Sequence, residues 1–351
     1  MHLYRVVACA LVVVACRAQA QPSQASTASQ WQESTPAEQG LDAAVFANLE
    51  RNIASAYPDI RSAVVVRHGR LVFEYYRWGH TRDTLHNGQS VTKVVTSALI
   101  GVAMQHGLIA GLDLPVVKVL PEAAADGSDT RAKEITLGQL LTMTAGFEGP
   151  AASVSSYAAL DDPVRTGMSR PLFAAPGLTF SYDNGSAHMV SAVLSRVTNS
   201  SASKFAEQHL FGPLGIERYR WPADRRGNNL GHNALALTTR DMAKLGQLHL
   251  QEGAWGGKQL LPMAYVRAAT SKQNAGGPPV GLDYGYFWWV APSSAPRAPY
   301  YFASGWGGQV IFVHPALDIV IAVTSDITHA SHTREHAGAL IHRHVLRAAS
   351  Q

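Results

Sequence analysis

The stretch Asn87-Gly88-Gln89-Ser90-Val91-Thr92-Lys93 opens the most apolar helical segment of the chain. Behind it, Val94, Val95, Ala98, Leu99, Ile100, Val102, Ala103 and Met104 leave almost no polar face, which predicts a central buried helix over 90–106. Ser90 and Lys93 are three residues apart and project from one side of such a helix. Ser90 stands near its amino terminus, where free N–H groups and the helix dipole favour a developing negative charge. A hydroxyl is a weak nucleophile until a neighbouring base takes its proton. Lys93 would be that base where burial and the positive helix end lower its pKa. Ser-x-x-Lys also arises by chance, as a capping serine followed by a surface lysine. That reading conflicts with this helix, because an unpartnered lysine in the first turn of a buried helix is costly.

Outward from this helix, both chain ends are strand-rich. Residues 62–67 and 70–78 read as a hairpin turning at His68-Gly69, and 309–314 and 318–325 as another turning at Pro315-Ala316-Leu317. Leu41, Val45, Leu49 and Ile53 recur at helical spacing until Pro58, and a last helix is expected over about 331–347. Between them, 84–285 reads as mostly helical, with segments at 90–106, 134–144, 186–198, 202–210 and 239–251. The predicted class is α+β: an antiparallel sheet built from both chain ends and flanked by helices, with a helical subdomain inserted over about 84–285. Residues 39–351 form the single domain of this reading.

Two further motifs follow Ser-x-x-Lys in order. Phe180-Ser181-Tyr182-Asp183-Asn184-Gly185 lies about ninety residues downstream, and Ala303-Ser304-Gly305-Trp306-Gly307-Gly308-Gln309 leads into the late hairpin. Taken singly, a loop tyrosine after Pro176-Gly177 is usually a packing residue, and Gly-Trp-Gly-Gly a tight turn. Jointly they resemble the Ser-x-x-Lys, Tyr-x-Asn and Gly-containing-strand pattern of the serine β-lactamase and penicillin-binding-protein superfamily. Leu140-Leu141-Thr142-Met143-Thr144-Ala145-Gly146, Leu210-Phe211-Gly212-Pro213-Leu214-Gly215 and Thr239-Arg240-Asp241-Met242-Ala243 look like landmarks of its class C branch, so the resemblance extends over 40–347.

The resemblance implies that Ser90 is acylated, that Lys93 is its base, and that Tyr182 shuttles the proton to the leaving group. It implies that Asn184 orients Lys93 and that the backbone N–H groups of Ser90 and Trp306 form the oxyanion hole. Substrate contacts are expected at Tyr157, His232, Asn233 and Gly305. The third motif departs from the β-lactamases of this type, which carry Lys-Thr-Gly where this chain has Ala303-Ser304-Gly305. The lysine there helps to hold a substrate carboxylate. Its absence favours the esterases and 6-aminohexanoate-dimer hydrolases of the family, with short esters or linear amides as substrates. A β-lactamase or a D-Ala-D-Ala carboxypeptidase is the alternative, with Arg165 or Arg297 as replacement cations. An acylated sensor would need a membrane span and a signalling domain, and neither is visible.

Composition limits the remaining classes. With 46% apolar residues the 351-residue chain can bury a full core, which excludes general disorder. Val6 to Cys16 is an apolar run behind Arg5, too short to span a bilayer but suited to an export signal over 1–20 that ends at Ala18-Gln19-Ala20. Val13-Val14-Ala15-Cys16 also resembles a lipobox, which would put a lipid anchor at Cys16 and is the sole membrane link expected. The location expected is periplasmic, soluble or lipid-anchored. Both cysteines, Cys9 and Cys16, fall in this segment, so the mature domain has no disulfide and no thiolate site. Of the 29 basic residues, loss of Arg5 and Arg17 leaves 27 against 25 acidic ones, with no basic run that suits nucleic acid. Residues 21–38, rich in Gln, Ser, Ala, Thr and Pro, read as a disordered lead-in.

A metal reading competes. His332-Thr333-Arg334-Glu335-His336 fits the inverted zinc-peptidase signature His-x-x-Glu-His. Such a site needs a further acidic ligand, and no Asp or Glu follows Glu335. No metal or other cofactor is therefore expected, and the last helix is read as carrying a polar face.

Overall fold

The computed structural model describes residues 31–124, 129–147, 159–295, 299–328 and 335–349. The export signal read over 1–20, with Cys16, lies outside the described residues, as do Tyr157, Arg297 and His332. The chain forms an eight-stranded sheet from β1 (Ile60–Arg67), β2 (Arg70–Tyr76), β3 (Asn274–Gly277), β4 (Leu282–Tyr284), β5 (Trp289–Val290), β6 (Tyr301–Gly305), β7 (Gln309–His314) and β8 (Ile319–Ser325). The spatial order is β2-β1-β8-β7-β6-β5-β4-β3. All of these neighbours run antiparallel. The two chain ends meet where β1 pairs β8, with Val64 opposite Ala322 and Val65 opposite Ile321.

Successive strand residues face opposite sides of a sheet, and here both sides are covered. Val64, Val66, Val313, Val320 and Ala322 face a core shared with α2 (Thr92–Gln105), α3 (Asn184–Thr198) and α4 (Thr239–Leu250). Val65, Phe312, Ile321 and Val323 face the other core, filled by Leu49 and Ile53 of α1 (Ala43–Ala56) and by Leu340 and Val345 of the last helix. That helix, α5, runs Glu335–Ala339, Leu340–Val345 and Leu346–Ala348. The expected α+β class is the fold the protein adopts. Strands covered on both faces are apolar without a break, which is why they stood out in the sequence.

Two expectations need correction. The helical stretch ends before 285, because β3 and β4 already belong to the sheet. Asn274-Ala275-Gly276-Gly277 carries no alternating apolar pattern, so this strand had no signal. Residues 31–38, expected to be part of a disordered lead-in over 21–38, are instead built into the fold. From Trp31 the chain lies along β2, with Ser34 N donating to Leu71 O and Leu71 N to Gln32 O. The Trp31 indole packs edge-on against Trp255 and donates to Arg240 O. These residues cover an edge strand that would otherwise expose its backbone.

Candidate active site

The turn before α2 is held in a strained shape. Gln89 has φ 49°, in the left-handed region that side chains rarely adopt, and its N–H donates to Asn87 Oδ1 at 2.9 Å. Gly88 N donates to Leu235 O at 2.9 Å, and Thr92 Oγ1 both donates to Gln89 O and accepts from Leu235 N. The short pair of His86–Asn87 with Ala236–Leu237 anchors the same turn from below. Ser90 therefore sits in a 3₁₀ turn, Gln89–Val91, whose backbone is fixed from both sides.

One turn on, Lys93 is 1% exposed yet fully partnered. Its Nζ lies 3.0 Å from Ser90 Oγ, 2.8 Å from Asn184 Oδ1 and 2.9 Å from His232 O. The latter two are pure acceptors. In the neutral amine, they would take both N–H groups and leave the lone pair aimed at the Ser90 hydroxyl. In the ammonium, all three contacts are donated. The site thus accommodates either protonation state with the same geometry.

Asp183 places the second motif. Its carboxylate caps α3 by accepting from Gly185 N at 3.0 Å and Ser186 N at 2.8 Å, which fixes Asn184 as the first helical residue. Arg170 grips the same carboxylate with two bonds of 2.9 and 2.7 Å. Burial alone would raise the Asp183 carboxyl, but the Arg170 guanidinium and Ser186 outweigh it and hold it below the ordinary carboxylate range. On the other side of Asp183, the Tyr182 ring stacks on Trp289 at 5.9 Å and lies 4.8 Å from Lys93 Nζ. Tyr182 is thereby wedged between the lysine and a buried aromatic wall.

The end of β6 closes the site. A Cβ on Gly305 would lie 2.4 Å from Gly88 O and 3.0 Å from the Gln89 side chain, so only glycine lets this strand approach the turn that carries Ser90. Ser90, Tyr182, Pro279, Val280, Trp289, Ser304, Gly305 and Trp306 line a cavity of about 190 Å³. None of the eight is charged. Ser90 and Trp306, whose N–H groups are the oxyanion hole expected from the sequence, both line it. Ser186 Oγ, by contrast, donates to Asp183, and Ser304 shares the cavity with Ser90.

Not every expected residue belongs to this cavity. His232 is 1% exposed and is not part of the lining. It meets Lys93 through its carbonyl rather than meeting a substrate through its ring. Burial, reinforced by Lys93 and His188, pushes that ring well below the usual histidine value. Asn233 is absent from the lining too. Arg165 pairs with Asp162, within its own short helix Pro163–Met168. A larger cleft of about 420 Å³ around Arg240 and Lys244 is lined by no serine, and those cations are paired with Glu74 and Asp241. At the last helix, His336 turns to the Asp59 carboxylate, and no cluster of metal-ligating side chains occurs among the described residues.

The Beta-lactamase family profile matches residues 41–346, almost the whole described chain. The chain belongs to the Beta-lactamase family. This family member is 24% identical over 302 residues to the 6-aminohexanoate-dimer hydrolase of Paenarthrobacter ureafaciens, spanning 79% of this chain and 75% of that one. It shares its fold with the octameric penicillin-binding protein homologue from Pyrococcus abyssi, at 19% identity and TM-score 0.65 over 85% and 76% of the two chains. A family VIII carboxylesterase shares it at 18% identity and TM-score 0.67, over 88% and 99%. Among the described residues, no helix of this Beta-lactamase family member is long and apolar enough to cross a membrane.

Several site residues escaped the sequence reading. Arg170 lies thirteen residues before Asp183, with no motif joining them. Pro279 and Val280, inside the stretch 84–285 expected to be mostly helical, and Trp289, just beyond it, enter the cavity from the β3–β5 region. The acidic residue inside Tyr182-Asp183-Asn184 was the one available hint, since Asp before a helix is a capping signal.

Proposed function

We propose that the protein is an exported serine hydrolase that forms an acyl-enzyme on Ser90 and cleaves short, uncharged esters or linear amides. The observation that carries this reading is Lys93, bonded at once to Ser90 Oγ, Asn184 Oδ1 and His232 O while shielded from solvent. Ser90 Oγ attacks the substrate carbonyl carbon as its proton passes to Lys93 Nζ. The carbonyl oxygen takes up negative charge against the N–H groups of Ser90 and Trp306. Collapse breaks the bond to the leaving oxygen or nitrogen, which receives the proton from Lys93 by way of the Tyr182 hydroxyl. Water then attacks the ester on Ser90, giving up its proton along the same route to Lys93, and the bond to Ser90 Oγ breaks as Lys93 returns that proton to it, releasing the acid.

Choice of substrate follows from the cavity. A ring carboxylate, as in a β-lactam, finds no cation among the eight lining residues. A charge-assisted hydrogen bond of that kind contributes about 1.5–3 kcal/mol, so its absence costs about ten- to a hundredfold in kcat/KM. The similarity to an amide-dimer hydrolase and the carboxylesterase fold point the same way. The test compares kcat/KM for a p-nitrophenyl butyrate ester, a linear amide dimer and a chromogenic cephalosporin on one preparation. The ester or the amide should lead. A cephalosporin preference would transfer the assignment to β-lactamase while leaving the Ser90 chemistry standing.

A further inference from the structure

Behind Lys93, and out of reach of any substrate, lies a fully buried ionisable pair. His188 follows Asn184 by four residues on α3, so both look toward the same neighbours. His188 Nε2 lies 2.9 Å from Asp224 Oδ2, and both side chains are completely shielded from solvent. The same carboxylate accepts from Arg226 N at 2.8 Å, Asn228 N at 2.9 Å and Asn228 Nδ2 at 3.2 Å, which ties the 224–228 turn into one knot. Burial would raise the Asp224 carboxyl, but His188 and Asn228 hold it below its usual value.

From that knot the chain runs straight to the lysine. Trp221 Nε1 donates to Leu230 O and Ser191 Oγ to Asn229 O. Gly231 then slides against α3, where a Cβ would lie 2.4 Å from Ala187 O and 2.7 Å from Ser191 Cβ. Thr96 Oγ1 fixes Gly231 O at 3.0 Å, and the next carbonyl, that of His232, receives Lys93 Nζ. The His232 ring meets the His188 ring edge-on, 5.7 Å between centroids. Asp224, His188 and His232 thus form a buried column ending at the carbonyl that holds the amine.

We propose that His188 and Asp224 are positioning residues, which set the His232 carbonyl against Lys93 and so aim the amine at Ser90. This role rests on the Ser90–Lys93 reading above. Taking two ionisable groups out of water is costly, and an apolar pair would pack α3 on the loop without that cost. What the apolar pair lacks is direction: only a bonded donor and acceptor fix where the following backbone carbonyl points. An error of about 1 Å in the placing of a catalytic group can cost about a hundredfold in rate.

The experiment measures the rate at which a fluorophosphonate probe labels Ser90, together with kcat and KM for a p-nitrophenyl ester. It uses the wild-type chain, His188→Leu, His188→Gln and Asp224→Asn, each checked for folding by circular dichroism. His188→Leu should label about 30–100-fold more slowly and lose kcat in proportion, with KM within about twofold. His188→Gln, whose Nε2 can still donate to Asp224, should recover to within about fivefold of wild type. Asp224→Asn should lower kcat by about tenfold at unchanged KM, and it decides the matter if His188→Leu does not fold. Wild-type labelling by a folded His188→Leu or Asp224→Asn, or a loss that glutamine does not rescue, would overturn the positioning role. Absence of Ser90 labelling in the wild-type chain would instead overturn the acyl-enzyme reading beneath it.

Discussion

Lys93 Nζ and Asn184 Oδ1 stand 2.8 Å apart across the packed interface of α2 and α3. One comes from the first turn of its helix and the other is the first residue of its own, so two helix starts converge on one hydrogen bond. Replacing Asn184 by Leu keeps the branched shape and removes the acceptor. The account predicts that kcat falls by about a hundredfold with KM nearly unchanged, since the amine loses one of its two fixed acceptors. Steady-state kinetics on a short ester checks this. A variant with wild-type kcat would mean that the amide does not orient Lys93.

Gly305 is the point where the sheet touches the turn that carries Ser90. Gly305→Ala forces β6 away from Gly88 and widens the space between Trp306 and Ser90. Overpacking of this kind destabilises by about 1–3 kcal/mol, while the oxyanion geometry should suffer more, with kcat down about a hundredfold or further. Thermal denaturation and kcat measured side by side separate the two effects. Equal activity would show that the close approach is dispensable.

How much of this was legible in the sequence depended on how each feature is encoded. β1, β2, β7 and β8 are long, apolar and joined by tight turns, so their apolar runs and punctuation were readable. β3, β4 and β5 are only two to four residues long, β3 is half glycine, Pro278-Pro279 follows it, and the sheet alone gives these strands shape. Ser90 and Lys93 stood out because a lysine in so apolar a helix needs an explanation. His232 shows the opposite case. The place of its loop in the family suggested a substrate contact, but the group that touches Lys93 is a backbone carbonyl, which leaves no trace in residue identity.

The Arg170–Asp183 pair gives an acid-stability prediction. The folded-state carboxyl lies below its ordinary value of 3.8. The pair's contribution is therefore fully present above 3.8 and is lost as pH falls from there through the lower folded value, because the unfolded chain takes up the proton first. Arg170→Met leaves the buried carboxylate without its partner and should cost about 3–5 kcal/mol at pH 7. At pH 3 the gap to wild type should narrow. Denaturant unfolding of both proteins at the two pH values measures it, and a gap independent of pH would remove the carboxylate from the explanation.

The central claim is that Ser90 carries the acyl group. Intact-mass spectrometry of the protein after brief exposure to a p-nitrophenyl ester or a fluorophosphonate, followed by peptide mapping, tests it most directly. The account predicts one added group per chain, on the peptide containing Ser90, and none on Ser90→Ala, whose turnover should drop about a thousandfold or more. A label on Ser181, Ser186 or Ser304, or full turnover by Ser90→Ala, would contradict it.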